Sequence, residues 1–411
     1  MRKIFTCVDI GTDTIKAITV EAYNEKFNVL ATATSISRGV KKGLIIDASL
    51  VTSSIKKVLK ELESKLGTKI EQVLAVIPSN NRDINIANGE VNVHTDGHII
   101  DGDTIFSCMQ KSLKKVVTPS NEVVSVMPIE YKINDNKKVK NPLGLEGDKL
   151  SIKSVVVSVP KKNVYSVVGV FENMGIEVVD IMVSSIADYS AIKDEEYDKH
   201  IVAMANIGKE KTVLSVFNKG ILIKESIVSI GGNDIDHVIS SEYGIDDEKS
   251  KQTKEEYGVA SKKYADGDES YKLMNKSNQE IGINQYALAG TIENKLTEML
   301  KKVKNDLNSL TNREISYIIV TGAITTMLGV DALIGDIYGD KGQVLNLNII
   351  GIRDGKYSTC YGAIKYFVNK LELREKEYTM LTDEKVDEML RARKKMGTGS
   401  VLGKIFGRIF E

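Results

Sequence analysis

Tryptophan is absent from this chain, and its 411 residues include only 5 prolines, 3 cysteines and 4 histidines. With so few aromatics and no basic face, the platforms and charge that hold nucleic acids are missing. Charge of one sign is also missing: 56 basic residues balance 56 acidic ones, so no global field draws the chain to an acidic surface. Cys7, Cys108 and Cys360 are scattered, with no CxxC spacing. That excludes a disulfide framework and fits a reducing cytoplasm. His94 and His98 share an i, i+4 spacing in a Gly/Asp-rich stretch without a third ligand, so zinc is not expected. No Ser/His/Asp or Cys/His nucleophile pattern stands out. No apolar run approaches the roughly 20 residues needed to span a bilayer, and the start lacks the features of a signal peptide.

What is present is a repeated grammar. KIFTCVDIG, a polar turn at Gly11 to Thr14, IKAITVEAY and FNVLATATSI read as a three-stranded meander. About two hundred residues on, HIVAMANIG, a turn at Gly208 to Lys211, TVLSVFNKG and ILIKESIVSIGG repeat it, with Asn206-Ile207-Gly208 in the place of Asp9-Ile10-Gly11. Each meander precedes a helical pattern. Asp47 caps the first helix, whose apolar face carries Val51, Ile55, Val58, Leu59, Leu62 and Leu66 and which Gly67 ends; Asp234 opens the second, with Ile235, Val238 and Ile239. Two such units imply two similar α/β domains facing across a cleft. A glycine at each hairpin tip lets backbone N–H groups approach an anion, because no Cβ intervenes. Two facing tips would clasp a polyphosphate, and Asp9 could hold a hydrated magnesium ion. Thr321-Gly322, between a buried strand and an expected helix, is a third glycine site, equally readable as a plain βα turn.

The stretch from 83 to 162 holds four of the five prolines, a helical pattern (DTIFSCMQKSLKKV) and two strand patterns, enough for a small α+β insert that acts in interactions. A long helix from Ala287 to Leu310 carries Leu288, Ile292, Leu296, Leu300, Val303 and Leu307 on one stripe. The charged tract from 371 reads as a linker. It ends in an amphipathic segment with Val401, Leu402, Ile405, Phe406, Ile409 and Phe410 on one half of a wheel. Gly403, Lys404, Gly407, Arg408 and Glu411 fill the other half, and Ser400 is placed to cap it. Such a segment suits a membrane interface; the plainer alternative is a terminal helix docked on its own domain.

VDIGTDTIKA, VKNPLGLEGDKL, FENMGIEVVDIMVSSIADYSAI, SIVSIGGNDIDHVI, KEEYGVA and IIVTGAITTMLGV, in this order and over essentially the whole chain, resemble FtsA, the actin-like cell-division family of bacteria. The phosphate turns alone would say only actin-like; the insert phrase and the tail narrow the resemblance. It implies an actin-like ATPase fold, two duplicated domains around a nucleotide cleft, with an inserted subdomain 1C and a membrane-targeting helix. The implied division is 1A at 1–82 and 163–193, 1C at 83–162, 2A at 194–230, 2B at 231–310, a return through 2A to 1A at 311–370, a linker at 371–399 and the amphipathic helix at 400–411. By resemblance the chain binds ATP and magnesium, polymerises head to tail through 1C, and holds the FtsZ C-terminal tail at an anionic membrane. Later division proteins are further partners, and the location is the cytoplasmic membrane face at the septum.

Carried over by position, Asp9, Gly11, Thr12, Asp13 and Lys16 face phosphate and metal from the first domain. Asn206, Gly208, Lys211 and Thr212 do so from the second, with Gly231, Gly232, Asn233, Lys254, Gly322 and Ala323 lining the nucleoside side. Val401 to Phe410, with Lys404 and Arg408, meet the membrane. The chain departs from the pattern at Asn206, where an Asp is usual, at Lys209-Glu210-Lys211 in place of a glycine-rich turn, at Ala323 and at Ser184. Lys251 stands where an acid often meets ribose. An amide cannot charge-pair a metal or take a proton from water, so hydrolysis is expected to be slow or absent. The alternatives are a pilus-assembly type adaptor and, less favoured, a small-molecule kinase of the same fold.

Overall fold

The computed structural model describes residues 3–23, 26–78, 80–114, 116–347, 349–352 and 355–389; the expected membrane-facing residues from Val401 to Phe410 lie outside them. The chain folds as two units. One comprises Met1–Ala191, Ile349–Gly351 and Thr359–Glu411; the other comprises Ile192–Asn348 and Ile352–Ser358.

In the first unit, β-branched and aromatic runs give β1 (Lys3–Ile10), β2 (Thr14–Tyr23) and β3 (Lys26–Ile36). A minute hairpin, β4 (Val40–Lys41) and β5 (Leu44–Ile45), precedes α1 (Ala48–Leu66). Asp47 accepts from Leu50 N at its head, and Gly67 closes it at φ 76°, the left-handed conformation that glycine adopts most cheaply. All six apolar residues expected on its inner face are buried. β6 (Gln72–Ile77) then enters the sheet, the chain leaves for an insert, and it returns through α3 (Lys161–Glu172), β11 (Glu177–Val183) and α4 (Ser184–Ile192). The sheet order is β11-β6-β1-β2-β3, parallel from β11 to β1 and antiparallel beyond.

The insert consists of β7 (Asp83–Asn92), α2 (Gly102–Leu113), β8 (Asn121–Ile133), β9 (Lys137–Val139) and β10 (Lys149–Pro160), in the order β7-β10-β8-β9. It has its own core, in which Ile105 and Cys108 of α2 meet Tyr131, Leu150 and Ile152. A Cβ at Gly89 would lie 2.5 Å from the Cys108 carbonyl oxygen, so the bare glycine sets how closely α2 packs on the sheet.

The second unit contains β12 (Ile201–Ile207), β13 (Thr212–Asn218), β14 (Ile221–Val228), α5 (Gly232–Tyr243), α6 (Asp247–Tyr257), β15 (Ser270–Met274), β16 (Glu280–Asn284), α7 (Gln285–Leu310), β17 (Tyr317–Thr321), α8 (Val330–Tyr338) and β18 (Gly342–Val344). Its main sheet runs β14-β13-β12-β17-β18, with the same senses. The two sheets are therefore one design used twice, as the repeated meander implied. The apolar stripe of α7 is fully buried in this unit's core.

Three expectations are corrected. The helix after the second meander begins at Gly232, two residues before Asp234, because Asp234 caps from within: its Oδ2 accepts from Gly231 N at 2.8 Å. Gly322 is followed by a single 3-10 turn, Ala323–Thr326, and not by a full helix; α8 starts only after Gly329. Lastly, the charged tract does not leave the domain at 371. α9 (Ser358–Leu373) runs past that point, and residues 374–389 stay docked. Arg374 lies 3.9 Å from the Phe106 ring centre, Met380 N donates to Ile4 O at 2.9 Å, and Lys385 pairs with Glu71 at 2.6 Å. Met380, Leu381 and Met389 are buried. Their sparse apolar side chains anchor a segment whose charge count alone reads as solvated.

Candidate functional site

The first half-site is the β1–β2 hairpin. Gly11 N donates to Thr14 O at 3.1 Å, and a Cβ at Gly11 would stand 2.7 Å from that oxygen, so only glycine fits this turn. Thr12 Oγ1 accepts from Gly43 N at 2.8 Å, and Asp13 O accepts from Ser37 N at 2.8 Å. The tip is thus pinned to the small β4–β5 hairpin and to the end of β3. Asp9 lies across the ladder from Lys16. Burial raises the Asp9 carboxyl above its ordinary value, and the Lys16 charge pulls it back down. A cation at this spot would favour the ionised form further.

Ser184 opens α4 in the same unit. Four residues on, Asp188 is buried and accepts from Thr359 Oγ1 at 2.6 Å, a polar link between α4 and α9 that the sequence did not reveal.

The second half-site repeats this turn and elaborates it. Gly208 N donates to Lys211 O at 3.0 Å. Asn206 takes the place of Asp9 in register, and its ladder partner is Val213 where Asp9 has Lys16. The acid and its basic partner are lost together.

The turn is docked on the head of α5: Gly232 N donates to Gly208 O and Asn233 N to Lys209 O, both at 2.9 Å. A Cβ at Gly231 would lie 2.5 Å from Gly208 O and 2.6 Å from Lys209 O. The first helical amides of Gly232 and Asn233 therefore hold the turn. Thr212 is fully buried and its hydroxyl donates to Ile230 O at 2.8 Å, which ties the meander to the helix entrance.

Gly322 reaches the same place from β17. Its φ is 103°, and a Cβ there would lie 2.2 Å from Ile207 O. Ala323 beyond it is exposed. Glycines far apart in sequence therefore converge at the end of β12, where a side chain would fill the space.

Lys254 lies beneath this corner, its Nζ 2.6 Å from Asp236 Oδ1 and 3.2 Å from Gly232 O. Burial raises the Asp236 carboxyl, against the pull of Lys254, then Lys251 and Lys209. Three ammonium groups thus act on this carboxylate, and Asp234 places a second acid at the same helix head, where it accepts from Gly231 N. Lys251 also pairs with Glu255, 3.7 Å away on α6. Asp236 has a signal in the sequence: it follows Ile235 on the buried side of α5, where an acid needs a partner. Among the described residues no cluster of three His, Cys, Asp or Glu side chains could hold a metal ion.

Comparison with known proteins agrees with this architecture. The domain described as "SHS2 domain inserted in FTSA" matches residues 81–158, which span the insert strands and α2. The cell division protein FtsA of Bacillus subtilis is 26% identical over 89% of this chain and 83% of its own length. That of Enterococcus hirae is 21% identical over 93% and 87%. Among solved structures, the PilM–PilN type IV pilus biogenesis complex superposes with a TM-score of 0.58 at 14% identity, covering 88% of this chain and 98% of the other. MreB5 of Spiroplasma citri bound to ADP gives 0.53 at 13% identity, covering 90% and 98%. With a duplicated actin-like fold, an FtsA-type inserted domain in its first unit and likeness over nearly its full length, the chain is similar to the FtsA cell-division proteins.

Proposed function

We propose that this protein is a cell-division adaptor that binds ATP, polymerises, and tethers FtsZ filaments to the cytoplasmic face of the membrane through residues 400–411. The observation that carries the nucleotide part is the glycine corner at the end of β12, where Gly208, Gly231 and Gly322 converge with no Cβ between their backbones. Backbone without Cβ atoms suits the close approach of a polyphosphate. Lys209 and Lys211 replace amides that the docked turn has already used. On the first unit, Asp9 has one carboxylate to offer a hydrated magnesium ion.

Asn206 and Ser184 supply no base for water, so the nucleotide acts as a structural ligand with little turnover. Calorimetric titration with magnesium-ATP should show binding that Lys209→Glu/Lys211→Glu weakens about tenfold. Absence of binding to the intact chain refutes the nucleotide reading. Phosphate release at ordinary ATPase rates, abolished by Asn206→Ala, refutes the structural-ligand reading.

Full burial of each large apolar side chain of the tail contributes at most about 1.5–3 kcal/mol, so a single tail binds reversibly and an array along a polymer binds firmly. No helix among the described residues is long and apolar enough to cross a membrane. A pilus-type adaptor is the second reading, favoured by the superposition on PilM–PilN. The inserted domain favours the first, and pull-down with the FtsZ C-terminal tail separates them.

A further inference from the structure

The insert carries a cavity of about 730 Å³ that the nucleotide reading does not use. It opens where α2 ends beside β7 and extends onto the sheet face formed by β7, β10 and β8. Its walls include Lys111 and Lys114 of α2, Lys153 of β10 and Lys132 of β8, against Glu90 of β7 and Glu130 of β8.

The acids are already engaged. Glu90 lies 2.9 Å from Lys149, and Glu130 lies 3.1 Å from Lys138 and 3.8 Å from Lys132. The Lys138 hydrogen bond, the strongest influence, holds the Glu130 carboxyl below its usual range. Among the described residues, the ammonium groups of Lys111, Lys114 and Lys153 make no ion pair. Three lysines without an ion pair, Lys111 and Lys114 at the end of α2 and Lys153 on β10, therefore line one concave surface, and the charge of Lys153 helps hold the Glu130 carboxyl low.

A guarded sheet edge does not explain this pattern. β7 is a terminal strand of its sheet, and edge strands are often protected by their own lysines. Here the lysines stand on α2 and on the interior strand β10, while β7 contributes Asn88, Gly89 and Glu90 to the lining. A nucleic-acid strand fits poorly, since no aromatic ring lines the cavity and two carboxylates interrupt its positive track. An extended peptide fits better. Its acidic side chains meet the lysines and its backbone meets the polar groups of the lining.

We propose that this cavity of the inserted domain docks a short acidic peptide segment of a partner protein, held by Lys111, Lys114 and Lys153. The test uses the full chain and a short fluorescent peptide of alternating Glu and Ser, read by anisotropy. A Lys/Ser peptide and an oligodeoxythymidylate serve as comparison probes. The expected result is binding of the Glu/Ser peptide alone, roughly tenfold or more weaker in K111E/K114E/K153E. It should be intermediate in the triple Gln variant and lost on going from about 0.1 M to about 1 M salt. Unchanged thermal melts of both variants show that the loss is local. Undiminished binding by the charge-reversed variant, preference for the Lys/Ser peptide or the oligonucleotide, or no binding at low salt overturns the proposal. ATP titration of the same variants should match the intact chain, so failure here is distinguishable from failure of the nucleotide reading.

Discussion

Replacing Asp236 with alanine tests the electrostatics of the second half-site most directly. The Lys254 and Asp236 side chains are only 11% and 8% exposed, and their charged atoms are 2.6 Å apart. Removing the carboxylate leaves a buried ammonium with the Gly232 carbonyl, 3.2 Å away, as its remaining acceptor among the described residues. Stranding one partner of a buried pair costs about 3–5 kcal/mol.

The reverse change, Lys254→Met, should cost less in acid. Burial already raises the Asp236 carboxyl, and without Lys254 it rises further, so the acid takes up a proton. A folded pKa above the unfolded one contributes stability that is complete below the unfolded value and lost as pH rises through the folded value. The Lys254→Met deficit should therefore be small near pH ~4 and grow toward neutrality. The Asp236→Ala deficit should persist across that range, because lysine stays charged throughout. Amide hydrogen exchange in α5 and α6 is the appropriate readout, since a chain with two units does not unfold as one two-state event. A cost for Asp236→Ala below about 1 kcal/mol, as for an exposed pair, would refute the reasoning. So would a deficit that disappears in acid.

Three further outcomes follow from particular contacts. A chain ending at Met389 should melt as the full chain does yet fail to pellet with anionic liposomes, whereas one ending at Leu373 should melt several degrees lower, having lost buried Met380, Leu381 and Met389; equal pelleting of the first would remove the tail's role. Gly322→Ala should cost on the order of 1–3 kcal/mol from backbone strain alone, plus a clash at Ile207 O, read as reduced hydrogen-exchange protection in β12 and β17. Asp47→Ala should remove the bond to Leu50 N and lower stability by about 1 kcal/mol, seen as faster exchange in the first turn of α1.

The repeated sheet was legible because β-branched runs and turn glycines obey local rules: Gly11 and Gly208 close the same turn with the same hydrogen bond. The buried stripes of α1 and α7 were legible for the same reason. The docking of that second turn onto α5 was not, because nothing in GKEK or GGND announces that the helix's first amides will be used by it. Nor was the ion pair of Asp236 with Lys254, which joins two helices through tertiary packing. The segment 374–389 was misread because its composition is charged while its few apolar residues face inward. Period and composition report faces and turns; they do not report which polar group satisfies which.

The docking of residues 374–389 also sets a length. A linker leaving the body at the end of α9 would have the residues from 374 to 399 to spend, a leash of up to about 90 Å when fully extended. Held down as far as Met389, the chain has only residues 390 to 399 before the amphipathic segment, or at most about 35 Å. If that segment is the anchor, a polymer of these subunits is held within a narrow stand-off from the bilayer. Under the proposed function, peeling the strap from β1 and Glu71 lengthens the leash without touching the anchor.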